Sequence, residues 1–270
     1  MLFFYLGVAK KYNVPWRIAH SHGAGFLHTL KGTAKYLLFR TTKWNANVRL
    51  ACSTEAGKYL YGKDTFEFVP NGIDVDRFTF DENKRIEMRK MLGIRDEYVI
   101  GHVGRFNLQK NHEYLLRIFK EVQQKTPNIK LLLLGEGELF SKIQNLAEDL
   151  EIKDKIIFAG VHKDVENYYQ AMDAFVLPSL FEGLPVTGIE AQYSGLPCFF
   201  SDEVTREVKI CSDTKFLKIG NENLGLWVDA ISQQRINKER NKIELITKKF
   251  DIRTAAKSME KRIYRFVETK

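Results

Sequence analysis

From Asp74 onward the chain alternates short apolar runs with amphipathic segments, and this alternation limits the possible folds more than any other feature. The runs cover residues 98–103, 129–134, 155–159, 174–177 and 198–200, each too short for a helix of ordinary length. Between them lie segments of helical period at 111–125, 138–150, 165–172 and 184–194. In the first of these, Tyr114, Leu115, Ile118, Phe119 and Val122 fall on one stripe. Apolar strands separated by amphipathic helices predict a parallel, doubly wound sheet covered on both faces. Ligands of such sheets bind beyond the carboxyl ends of the strands.

One of those strand ends carries a distinctive loop. After the run Ala174-Phe175-Val176-Leu177-Pro178-Ser179 come Glu182 and Glu190, eight residues apart around Gly183-Leu184-Pro185. A strand that breaks into a loop and restarts as a helix aims free backbone amides and a positive dipole at whatever lies ahead, which suits an anion. Eight residues is a little over two helical turns, so Glu190 is expected about two turns into the helix on a face similar to that of Glu182. Carboxylates accept hydrogen bonds in pairs. Two of them flanking an amide cluster suit a ligand with vicinal hydroxyls at both ends and phosphate in the middle, which is the description of a nucleotide sugar.

Length and composition narrow the context. With 270 residues, 44% of them hydrophobic, the chain can form one large or two modest domains with proper cores. It contains no uninterrupted apolar run of the ~18 residues a membrane span needs. The opening segment 1–9 is apolar but short and lacks preceding cations, so it reads as the end of a buried helix. Cys52, Cys198 and Cys211 are scattered and odd in number, which favours small core residues in a reducing cytosol. The net charge of +8 admits anionic partners, yet its cations are dispersed and no nucleic-acid-binding signature is present, so nucleic acid is set aside. Between Lys31 and Arg49, the cations Lys31, Lys35, Arg40, Lys43 and Arg49 interleave with Tyr36, Leu37, Leu38, Phe39 and Trp44. Two readings stay open there: a basic helix on acidic lipid headgroups, or an amphipathic helix packed on its own sheet.

Several ordered motifs now combine. Val69-Pro70-Asn71-Gly72-Ile73-Asp74, Val103-Gly104-Arg105 with Lys110, Leu134-Gly135-Glu136-Gly137, Ala171-Met172-Asp173, the E-x7-E loop and Ser194-Gly195-Leu196-Pro197 follow one another over roughly 125 residues. In that order they resemble the retaining glycosyltransferases of the large family four, whose GT-B fold is a pair of facing Rossmann-like domains. Arg17-Ile18-Ala19-His20-Ser21-His22 and 195–202 are similar to enzymes of bacterial capsule and exopolysaccharide assembly.

The resemblance implies roles for particular residues. Gly104, Arg105 and Lys110 become the pyrophosphate clamp, and Glu190 accepts from both ribose hydroxyls. Glu182 meets hydroxyls of the transferred sugar, while the backbone of Gly183, Leu184, Pro185, Val186 and Thr187 holds sugar and phosphate oxygens. His162 stands where the family backbone meets the base, though a surface-loop role fits it equally. His22 fits a histidine at the end of a first-domain strand beside the transfer point, and Ser53 fits a serine near the cleft. His20 and His22 share one face of a strand, but no acidic or cysteine ligand accompanies them, and the family needs no divalent metal for donor binding. Arg105, Lys110, His22 and Glu182 are thus the catalytic candidates.

The expected reaction moves a hexosyl group from a nucleotide sugar, expected to be a UDP-sugar, to a lipid-linked or oligosaccharide acceptor, with retention. The expected domains are a partial acceptor-side domain at 1–74, a nucleotide-sugar domain at 75–250 and a crossover helix at 251–270. Before Asp74 only three strands are legible, at 16–20, 48–51 and 66–69, so the first domain reads as incomplete. The alternative is a non-catalytic nucleotide-sugar-binding half or remnant that needs a separate chain for its first domain. Location is expected to be cytoplasmic, at the inner face of the membrane.

Overall fold

A computed structural model describes residues 2–23, 25, 30–236, 240 and 248–268. In chain order its elements are α1 (Leu2–Lys11), β1 (Ile18–Ser21), α2 (Leu30–Arg40), α3 (Thr42–Asn45), β2 (Val48–Ala51), α4 (Thr54–Tyr61), β3 (Glu67–Phe68), α5 (Val75–Phe78) and α6 (Glu82–Met91). There follow β4 (Tyr98–Val103), α7 (His112–Lys125), β5 (Ile129–Leu134), α8 (Phe140–Asp149), β6 (Ile156–Gly160), α9 (Val165–Ala171) and β7 (Ala174–Leu177). The chain closes with α10 (Val186–Tyr193), β8 (Cys198–Ser201), β9 (Lys215–Leu217), α11 (Leu224–Ile236) and α12 (Ile252–Glu268).

These elements divide into two compact units. Residues 74–180 and 185–247 make one; residues 1–73, 181–184 and 248–270 make the other. The larger unit holds a six-stranded parallel sheet in the order β6-β5-β4-β7-β8-β9. The strand sequence therefore runs outward one way from β4 to β6, then returns beside β4 and runs outward the other way. That is the doubly wound order, and its switch point lies between β4 and β7.

The strands are apolar throughout because both faces are covered. Leu131 to Leu133 and Phe175 to Leu177 are completely buried. The stripe of α7 packs on one face with Trp227, Val228 and Ile231 of α11, and truncating a ring such as Phe119 would cost about 3–5 kcal/mol. Asp173, just before β7, accepts from the Val99 amide at 2.8 Å and pairs with Arg89 at 3.2 Å and with Arg85. It thereby ties α6 to the amino ends of β4 and β7.

The smaller unit carries a three-stranded parallel sheet, β1-β2-β3, with β2 central. Tyr61 is fully buried against it, and its single hydroxyl proton lies between the carbonyl oxygens of Ala19 and Leu50, 2.7 and 2.9 Å from the phenol oxygen. Ile73 and Asp251 form a bridge beside this sheet, and Arg262 of α12 pairs with Glu67 at 2.8 Å.

Two expectations are corrected here. Segment 1–9 is helical from residue 2, but α1 is not a buried helix: Phe4, Tyr5 and Val8 are 63, 68 and 56% exposed, and of its apolar side chains Leu6 enters the small core. Its apolar residues surround the helix rather than forming one stripe, so packing on α3 covers only one side. Met1 lies outside the described residues. The basic stretch 31–49 is likewise not one helix. It is α2, the short α3 and the start of β2, and Lys43 and Arg49 pair with Asp64 at 3.3 and 3.7 Å. The side chains of Lys31 and Lys35 are not described.

Candidate functional site

The carboxyl ends of β4, β5, β6 and β7 carry most of the candidate residues. Val103 ends β4, and the chain turns through Gly104, Arg105 and Phe106. The Gly104 amide donates to Leu134 at 3.0 Å, and the Phe106 amide donates to Glu136 at 2.9 Å. These bonds lay the loop after β4 directly against the loop after β5. A Cβ on Gly135 would lie 2.1 Å from the Gly104 carbonyl oxygen, so Gly135 permits a backbone-to-backbone approach no side chain allows.

Lys110 is set by its own backbone, whose amide donates to Asn107 Oδ1 at 3.1 Å. Its aliphatic stem runs beside Gly104. Arg105 pairs with Glu138 at 3.2 Å, with both side chains mostly exposed. Such a pair contributes about 0–1 kcal/mol, so a phosphate can replace the carboxylate at little cost. Arg105, Gly135 to Glu138, Gly160 and Val161 line a cleft of ≈ 930 Å³.

Two histidines that sequence reasoning passed over lie under this loop. His102 on β4 donates from Nδ1 to the Val176 carbonyl at 2.8 Å, which leaves Nε2 as an acceptor without a partner. His112 opens α7 and stacks on Phe106 with ring centroids 4.1 Å apart, neither nitrogen hydrogen-bonded. Burial, then Lys110, holds the His112 pKa down at about 3; burial and His112 hold His102 well below the usual histidine range. Both rings are therefore neutral at physiological pH. The available signal was a histidine in an otherwise apolar strand and another at a helix start.

His162, just past β6, donates from Nε2 to the Ala159 carbonyl at 2.7 Å and rests against Tyr168, rings 4.4 Å apart. The chain after β7 is anchored by the Leu180 amide to Gln109 at 2.8 Å and by Asn111 Nδ2 to Pro178 at 3.1 Å. The next helix, α10, starts at Val186, so Glu190 lies just over one turn in, not two. Pro185 departs from expectation because proline has no amide; its carbonyl instead accepts from Gly188 and Ile189 at 3.1 and 3.3 Å. As first-turn residues, Val186 and Thr187 have amides without an intrahelical acceptor.

Glu190 is held by a neighbour on another helix, with an ion pair nearby. Tyr169 of α9, itself fully buried, donates to Glu190 Oε2 at 2.8 Å. Arg77 of α5 pairs with Glu166 of α9 at 2.7 Å. Burial pushes the Glu190 carboxyl above the usual carboxylate range, with repulsion from Glu166, while Tyr169 and Arg77 act in the opposite direction.

The remaining candidates belong to the smaller unit. His22, after β1, meets Asn71 Oδ1 through Nδ1 at 2.9 Å, and its ring lies 4.1 Å from that of His20. His20 Nε2 reaches the Val69 carbonyl at 3.1 Å. Phe181 to Leu184 group with these residues, and Glu182 and Leu184 are buried. A Cβ on Gly183 would sit 2.3 Å from the His22 carbonyl oxygen. Ser53 caps α4, accepting from the Ala56 amide at 3.0 Å.

The chain is similar to known proteins. Residues 84–256 match the family described as Glycosyl transferases group 1. The chain belongs to this family. This group 1 glycosyltransferase is 32% identical to the putative glycosyltransferase EpsF of Bacillus subtilis over 83% of its own length and 61% of that protein's. It is 31% identical to the UDP-Gal:alpha-D-GlcNAc-diphosphoundecaprenol alpha-1,3-galactosyltransferase of Escherichia coli over 72% of its length and 53% of the relative's. The chain thus spans less than two thirds of the length of these two relatives. Among solved structures, Anabaena HepE in complex with UDP and glucose matches 98% of the chain and covers 75% of its own, with TM-score 0.82 at 16% identity. Sucrose-phosphate synthase from Thermosynechococcus elongatus gives TM-score 0.81 at 17% identity, covering 99% of the chain and 73% of its own. The fold is that of the GT-B glycosyltransferases, with Rossmann-like units.

Proposed function

We propose that this group 1 glycosyltransferase moves a hexosyl group from a UDP-sugar to a lipid-linked polysaccharide precursor, with retained anomeric configuration, in capsule or exopolysaccharide assembly. The observation that carries the reading is the set of groups beyond the switch point: Arg105 and Lys110 after β4, and the α10 amino terminus with Glu190 after β7. Cations and free amides suit a diphosphate, and an anchored carboxylate suits the two ribose hydroxyls. The names of its relatives support the donor and acceptor classes, since the Escherichia coli enzyme is named for UDP-Gal and a diphosphoundecaprenol-linked sugar.

In the reaction so read, the acceptor oxygen bonds to the anomeric carbon on the face from which the nucleotide departs. The bond from that carbon to the phosphate oxygen breaks, and the leaving phosphate takes the acceptor proton. Arg105 and Lys110 stabilise the charge growing on the diphosphate. Glu182 and the backbone of Gly183 and Leu184 orient the sugar, and His22 stands beside the transfer point. We place membrane contact at the exposed Leu37, Leu38 and Trp44.

The test is calorimetry with UDP, GDP and UDP-sugars, followed by transfer to lipid-linked acceptor with the product's anomeric configuration read by NMR. Heat from UDP and an α-product from an α-donor fit the proposal; folded protein that binds no nucleotide sinks it. The surface of the smaller unit favours a second reading, because among the described residues β1 is a sheet edge, and Phe4, Tyr5, Val8 and Tyr12 of the same unit are exposed. In that reading a further polypeptide covers this face before transfer occurs, and nucleotide binding without transfer would single it out.

A further inference from the structure

Glu190 could sit in its loop-and-helix setting in several rotamers, because a glutamate has three side-chain torsions and the α10 surface by itself selects none. What selects one is the hydrogen bond from Tyr169. We infer that Tyr169 is a positioning residue, whose phenol aims the Glu190 carboxylate so that the nucleotide's ribose hydroxyls meet a preset pair of acceptor oxygens. The inference rests on the reading of Glu190 as a ribose ligand and adds to it a residue that never touches the nucleotide.

Three observations carry it. The first is geometry: Tyr169 Oη lies 2.8 Å from Glu190 Oε2 and 3.2 Å from the Thr187 carbonyl oxygen. A phenol has one proton, and the shorter, charge-assisted contact is to Glu190. The second is rigidity. The Tyr169 ring is fully buried and lies edge-on to Phe78, centroids 5.9 Å apart, with Phe175 at the same distance on another side. Its hydroxyl therefore has a fixed address, set by α5 and β7 rather than by α10. The third is the surrounding charge. Arg77 directs Nε and Nη2 at Glu166 Oε1, at 3.2 and 2.7 Å, so these donors of the arginine beside Glu190 are turned away from its carboxylate. Tyr169 is left as the neutral donor that holds one oxygen while the carboxylate keeps its charge. Glu190 Oε1 and the second lone pair of Oε2 then remain for two hydroxyl donors.

The experiment is a double-mutant cycle read by calorimetry with two ligands, UDP and 2′,3′-dideoxy-UDP. Tyr169→Phe deletes one buried oxygen and keeps the ring. The result expected is a loss of UDP affinity of about five- to thirtyfold, with little change for the dideoxy ligand, so that the preference for ribose shrinks. Adding Tyr169→Phe to Glu190→Ala should produce no further loss, because the tyrosine acts only through the glutamate. A Tyr169→Phe protein that melts lower yet keeps the full preference for ribose would assign the phenol a purely structural role and overturn the inference, leaving Glu190 as the ribose ligand. Wild-type protein that binds neither ligand would overturn the ribose reading itself. The geometric half is then judged without nucleotide: the Glu190 carboxyl, followed by carbon-13 NMR and assigned with Glu190→Gln, should titrate at a higher pH in Tyr169→Phe, and an unchanged midpoint would overturn it.

Discussion

The carbonyl oxygen of His22 occupies the space that a side chain on Gly183 would need, with the ideal Cβ only 2.3 Å away. The first half of the E-x7-E loop is thereby seated on the end of β1. Gly183→Ala should force the two backbones apart by about an ångström, and displacement on that scale can cost a hundredfold in a positioned reaction. We expect sugar transfer to fall at least about tenfold while the fold persists, as checked by initial rates beside a circular dichroism melt. Unchanged rates would mean that this contact does not position the transferred sugar.

Lys110→Ala should weaken UDP binding by about 1.5–3 kcal/mol, the range for hydrogen bonds to charged groups, and leave uridine binding nearly as it was. Calorimetry with both ligands checks this. Equal losses would remove Lys110 from the phosphate clamp.

The Glu190 carboxyl titrates above the usual carboxylate range, chiefly because it is buried. Its ionised form is the better acceptor for ribose hydroxyls, so UDP affinity should decline as pH falls through that raised value, earlier than an exposed glutamate would dictate. For folding the sign is opposite: the raised pKa favours the native state fully below the unfolded value, and that contribution is lost as pH rises through the folded one. UDP titrations carried downward from neutral pH should show the decline, and Glu190→Gln should flatten it.

His112 has its pKa lowered from 6.5 to about 3, so the unfolded chain binds a proton there that the native state refuses. Stability should fall as pH drops from about 6.5 toward about 3, by roughly 5 kcal/mol at most. His112→Phe keeps a ring against Phe106, removes two unpartnered nitrogens and should move the acid-unfolding midpoint lower. An unshifted midpoint would show that other groups control acid unfolding.

Asp173 joins two arginines of α6 to the β4 backbone while remaining partly accessible. Asp173→Ala leaves both cations without their shared carboxylate and an amide without its acceptor, and should cost about 2–3 kcal/mol, below the range for a fully buried pair. Urea unfolding measures it; a change under about 0.5 kcal/mol would show that water replaces the carboxylate.

The larger unit was legible because its signals are local. Strands β4, β5 and β7 start and stop where the apolar runs 98–103, 129–134 and 174–177 do, and the stripe on α7 meets the core as its period requires. Cooperative burial on both faces makes each such run apolar from end to end, so composition alone marks it. Segment 1–9 misled because an apolar stretch does not say what covers it. The stretch 31–49 misled because Asp64, distant in sequence, takes up two of its cations.

The sequence by itself determined the order of strands and helices, the motif set that places the chain among the group 1 glycosyltransferases, and the identity of Arg105, Lys110 and Glu190 as candidates. Those follow from period, turn chemistry and spacing, which act over a few residues. Only the tertiary structure decided that β7 returns beside β4 to create the switch point, that His102 and His112 lie neutral under the loop after β4, and that Tyr169 holds Glu190. Each of these pairs residues about 10 to 75 positions apart, and such contacts form because packing a sheet between helix layers brings side chains together irrespective of their separation along the chain.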